Sequence, residues 1–149
     1  MGTYLVVAHR TLVGEHLLDH ARDLAEREQQ QREPTRFHLV VPVRHPDGHA
    51  WSDGEIQSVA RTRLAEGLAT FADAGLEATG EVGDENPVYA ASTALRDLGF
   101  ACDGIIVSTL PPGVSHWLRV DVVSRMKREF ELPITHLVAA KRSRRAVPS

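Results

Sequence analysis

The chain has 149 residues, 25% of them charged, and a formal net charge of -3 with its eight histidines neutral. That length suits one domain able to bury roughly 70% of its unfolded-chain surface with no metal or disulfide staple, and the charge is too small to single out nucleic acid or an acidic partner. The lone Cys102 makes no internal disulfide and fits a reducing, cytoplasmic setting, and the start Met1-Gly2-Thr3-Tyr4 carries neither a secretory leader pattern nor the Ser or Thr at position 6 that myristoylation needs.

In chain order, Tyr4-Leu5-Val6-Val7-Ala8 is a continuous apolar run, as expected of a strand buried on both faces. A helix is predicted from about Gly14 to Gln30, with Leu17, Leu18, Ala21, Leu24 and Ala25 on one stripe and Pro34 ending its polar tail. Phe37 to Val41 forms a second strand closed by Pro42. The loop from Arg44 to His49 leads to Ser52-Asp53-Gly54-Glu55, which reads as a capping box, with Trp51 and Ile56 placed for a hydrophobic staple. The helix that follows lines up Ile56, Ala60, Leu64, Leu68 and Phe71, and Gly75 stops it. Leu76 to Val82 is a short third strand, and its Gly80, Glu77 and Glu81 suit an edge or one-sided position. Asn86-Pro87 reads as a cap and first residue of a third helix carrying Val88, Ala91, Leu95 and Leu98, ended by Gly99. Gly104 to Ser108 is a fourth buried strand. The turn Thr109-Leu110-Pro111-Pro112-Gly113-Val114 brings the chain to Ser115, the expected cap of a fourth helix with Leu118, Val122, Met126 and Phe130 in a row. Pro133 breaks that helix, and Ile134 to Ala139 is the fifth strand.

Strand and helix alternate without a hairpin signal, so the expected architecture is α/β, a parallel sheet with helices on both faces, joined by right-handed crossovers. Residues 1–140 read as a single domain, and 141–149 as a basic tail carrying Lys141, Arg142, Arg144 and Arg145. No linker or internal repeat divides the chain.

The order of elements from Thr3 to Ala139 resembles the universal stress protein family. Leu5-Val6-Val7-Ala8-His9-Arg10-Thr11 is similar to that family's first strand and following loop. Gly83-Asp84-Glu85-Asn86-Pro87 resembles its acidic-Pro entry into the helix after the third strand. The segment Ile105 to Leu118, with Leu132-Pro133-Ile134-Thr135-His136-Leu137-Val138, looks like a divergent branch in which a Pro-Pro-Gly turn and a Trp-Leu helix start replace the usual glycine loop. The resemblance implies an open five-stranded, Rossmann-like sheet in the order 3-2-1-4-5. It also implies a homodimer through the fifth strand, where Ile134, Leu137 and Val138 lie, and a role in stress response. The departures are specific. His9 stands where ATP-binding members carry Asp, Ser108 stands at the first glycine of the phosphate loop, and the final Gly-Ser falls near Asp121-Val122. Pro111 and Pro112 have no N–H to offer a phosphate and Asp121 repels one, which argues against ATP binding of the usual kind.

In an open parallel sheet ligands sit beyond the carboxyl ends of the strands where the order reverses, here between the first and fourth. Ala8, His9, Arg10 and Thr11 are expected on one side of that crevice, Ser108, Thr109, Gly113, Ser115 and His116 on the other, and Val41 and Pro42 on its floor. The helix start at Ser115 and the charge of Arg10 favour an anion, so an adenine nucleotide or another small anion is the expected ligand. The plainer alternative is that Ser115 only caps its helix and Arg10 is solvated.

Other constellations have structural readings of their own. His16-Leu17-Leu18-Asp19-His20 imitates a zinc pattern, yet the polar flank of an amphipathic helix accounts for both histidines. His45, Asp47 and His49 alternate in a Pro/Gly loop that is more simply a surface loop. Gly113-Val114-Ser115-His116-Trp117 lacks the last glycine of a nucleophile elbow. Cys102 reads as a packed thiol away from the crevice, and the basic tail lacks the interleaved aromatics of a nucleic-acid arm. A small regulatory or ligand-binding module is therefore the leading expectation. The alternatives are an interaction protein without a ligand and, behind it, a hydrolase using Ser115; no metal and no catalytic residue is assigned.

Overall fold

The long apolar runs pair as parallel strands. A computed structural model describes residues 2–8, 15–30, 34–43, 52–99, 101–109 and 122–138. Among them the chain alternates β1 (Gly2–Ala8), α1 (Glu15–Gln30), β2 (Thr35–Pro42), α2 (Asp53–Asp73), β3 (Glu77–Gly83), α3 (Pro87–Asp97), β4 (Gly104–Thr109), α4 (Val122–Glu129) and β5 (Ile134–Val138). The strands form one five-stranded sheet in the order β3-β2-β1-β4-β5, every neighbouring pair parallel. Both the alternation and the strand order expected above are therefore found. No helix among the described residues is long and apolar enough to cross a membrane.

Period-two alternation sorts the strand side chains into two cores. Val6, Ala8, Phe37, Leu39, Val41 and Ile106 meet Leu17 and Ala21 of α1 and Ala60 and Phe71 of α2. Leu5, Val7, Val40, Ile105 and Val107 meet α3 through Val88, Ala91 and Leu95, and α4 through Val122 and Met126. Cys102 is buried in this second core, where burial and then Asp103 push its thiol pKa up. Among the described residues two helices lie on each face, as right-handed crossovers demand when the chain runs outward from β1 to β3 and then crosses back to β4.

Local chemistry fixes the helix ends. Ser52 and Glu55 exchange reciprocal bonds: the Glu55 N–H donates to Ser52 Oγ at 3.1 Å and the Ser52 N–H to Glu55 Oε1 at 2.9 Å. Asn86 Oδ1 accepts from the N–H groups of Val88 and Tyr89 at 3.0 and 3.3 Å. Gly75 and Gly99 follow α2 and α3 at φ of +78° and +66°, conformations that L side chains disfavour. β3 is an edge strand, as its Gly80, Glu77 and Glu81 suit, and Gly80 has a packing role as well. A Cβ there would lie 2.5 Å from Leu64 Cδ1 and 2.9 Å from the Leu39 carbonyl oxygen, so its bare backbone lets α2 settle onto β3. Trp51 lies outside the described residues, as do the basic tail and the expected helix start at Ser115.

Candidate functional site

The sheet order changes direction between β1, which feeds α1 on one face, and β4, which feeds α4 on the other. There the carboxyl ends of the two strands lie side by side, with Ala8 paired to Ser108 in register. Helix connections leaving to opposite faces open a crevice at such a point. Ala8 and Val41 are fully buried and Pro42 is buried.

Ser108 and Thr109 end β4, only 1% and 2% exposed. As consecutive strand residues they turn to opposite faces. A hydroxyl buried without a partner costs about 1–3 kcal/mol, and a histidine meets each of these two. Ser108 Oγ shares a hydrogen bond with His16 Nε2 at 2.9 Å, tying β4 to the first turn of α1. Thr109 Oγ1 shares one with His136 Nε2 at 2.8 Å, tying β4 to β5. The structure thus joins Ala8 and Ser108 on the α1 side and sends Thr109 to the α4 side. Burial holds the His16 pKa below its ordinary value while Asp19, one turn along α1, pulls the other way. Burial and then Lys127 of α4 do the same to His136. Both imidazoles are therefore neutral at neutral pH.

Neither histidine was singled out for the crevice from the sequence. His16 drew notice for its spacing from His20, but its Nε2 is engaged with Ser108, and among the described residues no group of three His, Cys, Asp or Glu side chains is placed to hold a metal. The available signal was indirect: two hydroxyl residues ending an otherwise apolar strand need partners. His9, Arg10, Thr11, Gly113, Ser115 and His116 lie outside the described residues, as do Pro111, Pro112, Asp121 and the loop carrying His45, Asp47 and His49. At the opposite, amino end of the strands, an open groove of about 390 Å³ runs between Gln29, Thr35, Gly75 and Glu77, remote from this chemistry.

The chain matches no family model, and no curated protein matches its sequence. Solved structures do match. A protein of the universal stress protein family from Burkholderia pseudomallei superposes with a TM-score of 0.60 at 18% identity, over 91% of this chain and 95% of its own. A universal stress protein from Archaeoglobus fulgidus gives 0.59 at 12%, over 91% and 93%. A universal stress protein solved in complex with cAMP gives 0.57 at 10%, over 93% and 98%. At these identities the likeness is one of fold: the chain has the α/β fold of universal stress protein structures over nine-tenths of its length.

The Thr109–His136 pair yields a direct energetic expectation. Replacing His136 with Leu strands a buried hydroxyl and lowers unfolding free energy by about 1–3 kcal/mol. The double change Thr109→Val with His136→Leu recovers part of that loss. Urea unfolding of the four-member cycle checks this, and strict additivity, within about 0.5 kcal/mol, contradicts the pairing.

Proposed function

We propose that this chain is a divergent universal stress protein acting as a small regulatory, ligand-binding module, and that its crevice between β1 and β4 receives an adenine nucleotide or another small anion. The observation that carries the reading is the parallel pairing of Ala8 with Ser108 at the point of strand reversal. Ala8 and Val41 are packed in the core beneath the strand ends, and at the reversal Ser108 and its partner His16 supply polar groups on the α1 side. The fold neighbour solved with cAMP supports a nucleotide as the class of ligand. A triphosphate cradled by a glycine loop is not part of the proposal, because Pro111, Pro112 and Asp121 replace that loop's donors in the sequence.

The binding reading is tested by titrating the ¹⁵N-labelled chain with cAMP, AMP, ADP and ATP up to roughly millimolar concentration. At least one nucleotide is expected to move the amide resonances of Ala8, Val41 and Ser108 together and to saturate. Silence from all four, or shifts confined to another face, contradicts the nucleotide reading.

The same reading includes a homodimer through β5. Both β3 and β5 are edges, and an unprotected edge invites pairing. Glu77 and Glu81 guard β3, engaged with Arg36 at 3.0 Å and His38 at 2.7 Å. The segment Ile134–Val138 bears no carboxylate, lysine or arginine. Ile134 and Leu137 spend their side chains on the two cores, so pairing would rest on the strand backbone and on Val138, which is 42% exposed. Sedimentation at micromolar concentration is expected to show a dimer, weakened about tenfold or more by Val138→Lys. A wild-type monomer, or a dimer indifferent to that charge, contradicts the arrangement.

A further inference from the structure

We infer that ligand binding in the crevice is proton-linked, with His16 the group that takes up a proton when an anion arrives; the inference rests on the reading of the crevice given above. His16 is the second residue of α1, and its Nε2 is held 2.9 Å from Ser108 Oγ, on the residue that pairs with Ala8 at the strand reversal. The imidazole therefore stands at the crevice by construction of the fold.

Its surroundings leave it poised. On the sheet face that α1 covers, β1, β2, β4 and β5 present uncharged side chains, among them Val6, Ala8, Val41, Ile106 and Leu137. On its own helix Asp19 favours the imidazolium, and His20 follows one turn later, itself held below its ordinary pKa chiefly by burial and then by Arg27. Burial outweighs Asp19 at His16, so the free protein keeps it neutral near pH 7. An anion entering beside it would act in the same sense as Asp19 and reverse that balance. His136 is less suited, because it faces the other side of the sheet, where Lys127 opposes its protonation.

The sign follows from linkage. If the bound state has the higher His16 pKa, binding takes up a proton and affinity rises as pH falls, by at most about tenfold per pH unit for one proton. The probe is cAMP, whose phosphodiester keeps one charge across this range, whereas phosphate monoesters lose a second proton near pH 6. Calorimetry between about pH 8 and pH 5.5 is expected to show its Kd falling with pH by several-fold or more. The slope should flatten in His16→Gln and persist in His20→Gln. On the wild-type chain, NMR titration of the His16 ring should show its midpoint rise on saturation with cAMP, a readout independent of how the variant folds. Binding with a flat pH profile, a slope that survives His16→Gln, or an unmoved midpoint overturns the inference and leaves the crevice reading standing. Failure of cAMP at every pH overturns it as well, and failure of AMP, ADP and ATP alongside removes the nucleotide reading.

Discussion

The parallel pairing of β1 with β2 on one side and β4 on the other is the constraint from which the rest of the architecture follows. Once β1 sits in the middle, right-handed connections place α1 and α2 on one face and α3 and α4 on the other. In open parallel sheets, such a reversal is where ligands bind, beyond the carboxyl ends of the strands. The apolar composition of β1 and β4 serves the same end, since strands covered on both faces must be hydrophobic throughout.

That constraint also decides what the site can be made of. A strand delivers side chains to alternate faces, so β4 ends by presenting one hydroxyl upward and one downward. Each is buried and requires a partner, and each partner is an imidazole from a neighbouring element: His16 from α1 and His136 from β5. The two pairs tie three elements to the end of β4. The Ser108–His16 pair also puts an imidazole on the sheet face beside the strand reversal where the ligand is proposed to bind.

Much of the architecture was legible because its signals are local. The unbroken runs at Leu5–Ala8 and Gly104–Ser108, the Ser52–Glu55 box, the Asn86-Pro87 cap and the stops at Gly75 and Gly99 each act over a few residues, and all are found in place. The strand order is not a local property, and it came from the family resemblance. What escaped was long-range pairing. Ser108 and His16 are 92 residues apart, and Thr109 and His136 are 27 apart, so no window of sequence joins them. Gly80 was legible as an unusual strand residue, but its reason, the approach of Leu64 from α2, depends on packing. On the α1 side of the candidate crevice, alternation could place Ala8 and Ser108 on one face, yet it could not name the imidazole that meets the hydroxyl.

The most direct test of a ligand site at the strand reversal is a crystal structure of the full chain soaked with cAMP. The account predicts ordered nucleotide density beyond the carboxyl ends of β1 and β4, within contact of the Ala8–Ser108 pair and on the side where His16 stands. A nucleotide bound elsewhere, or a reversal point filled by the protein's own side chains in the presence of saturating ligand, would contradict it.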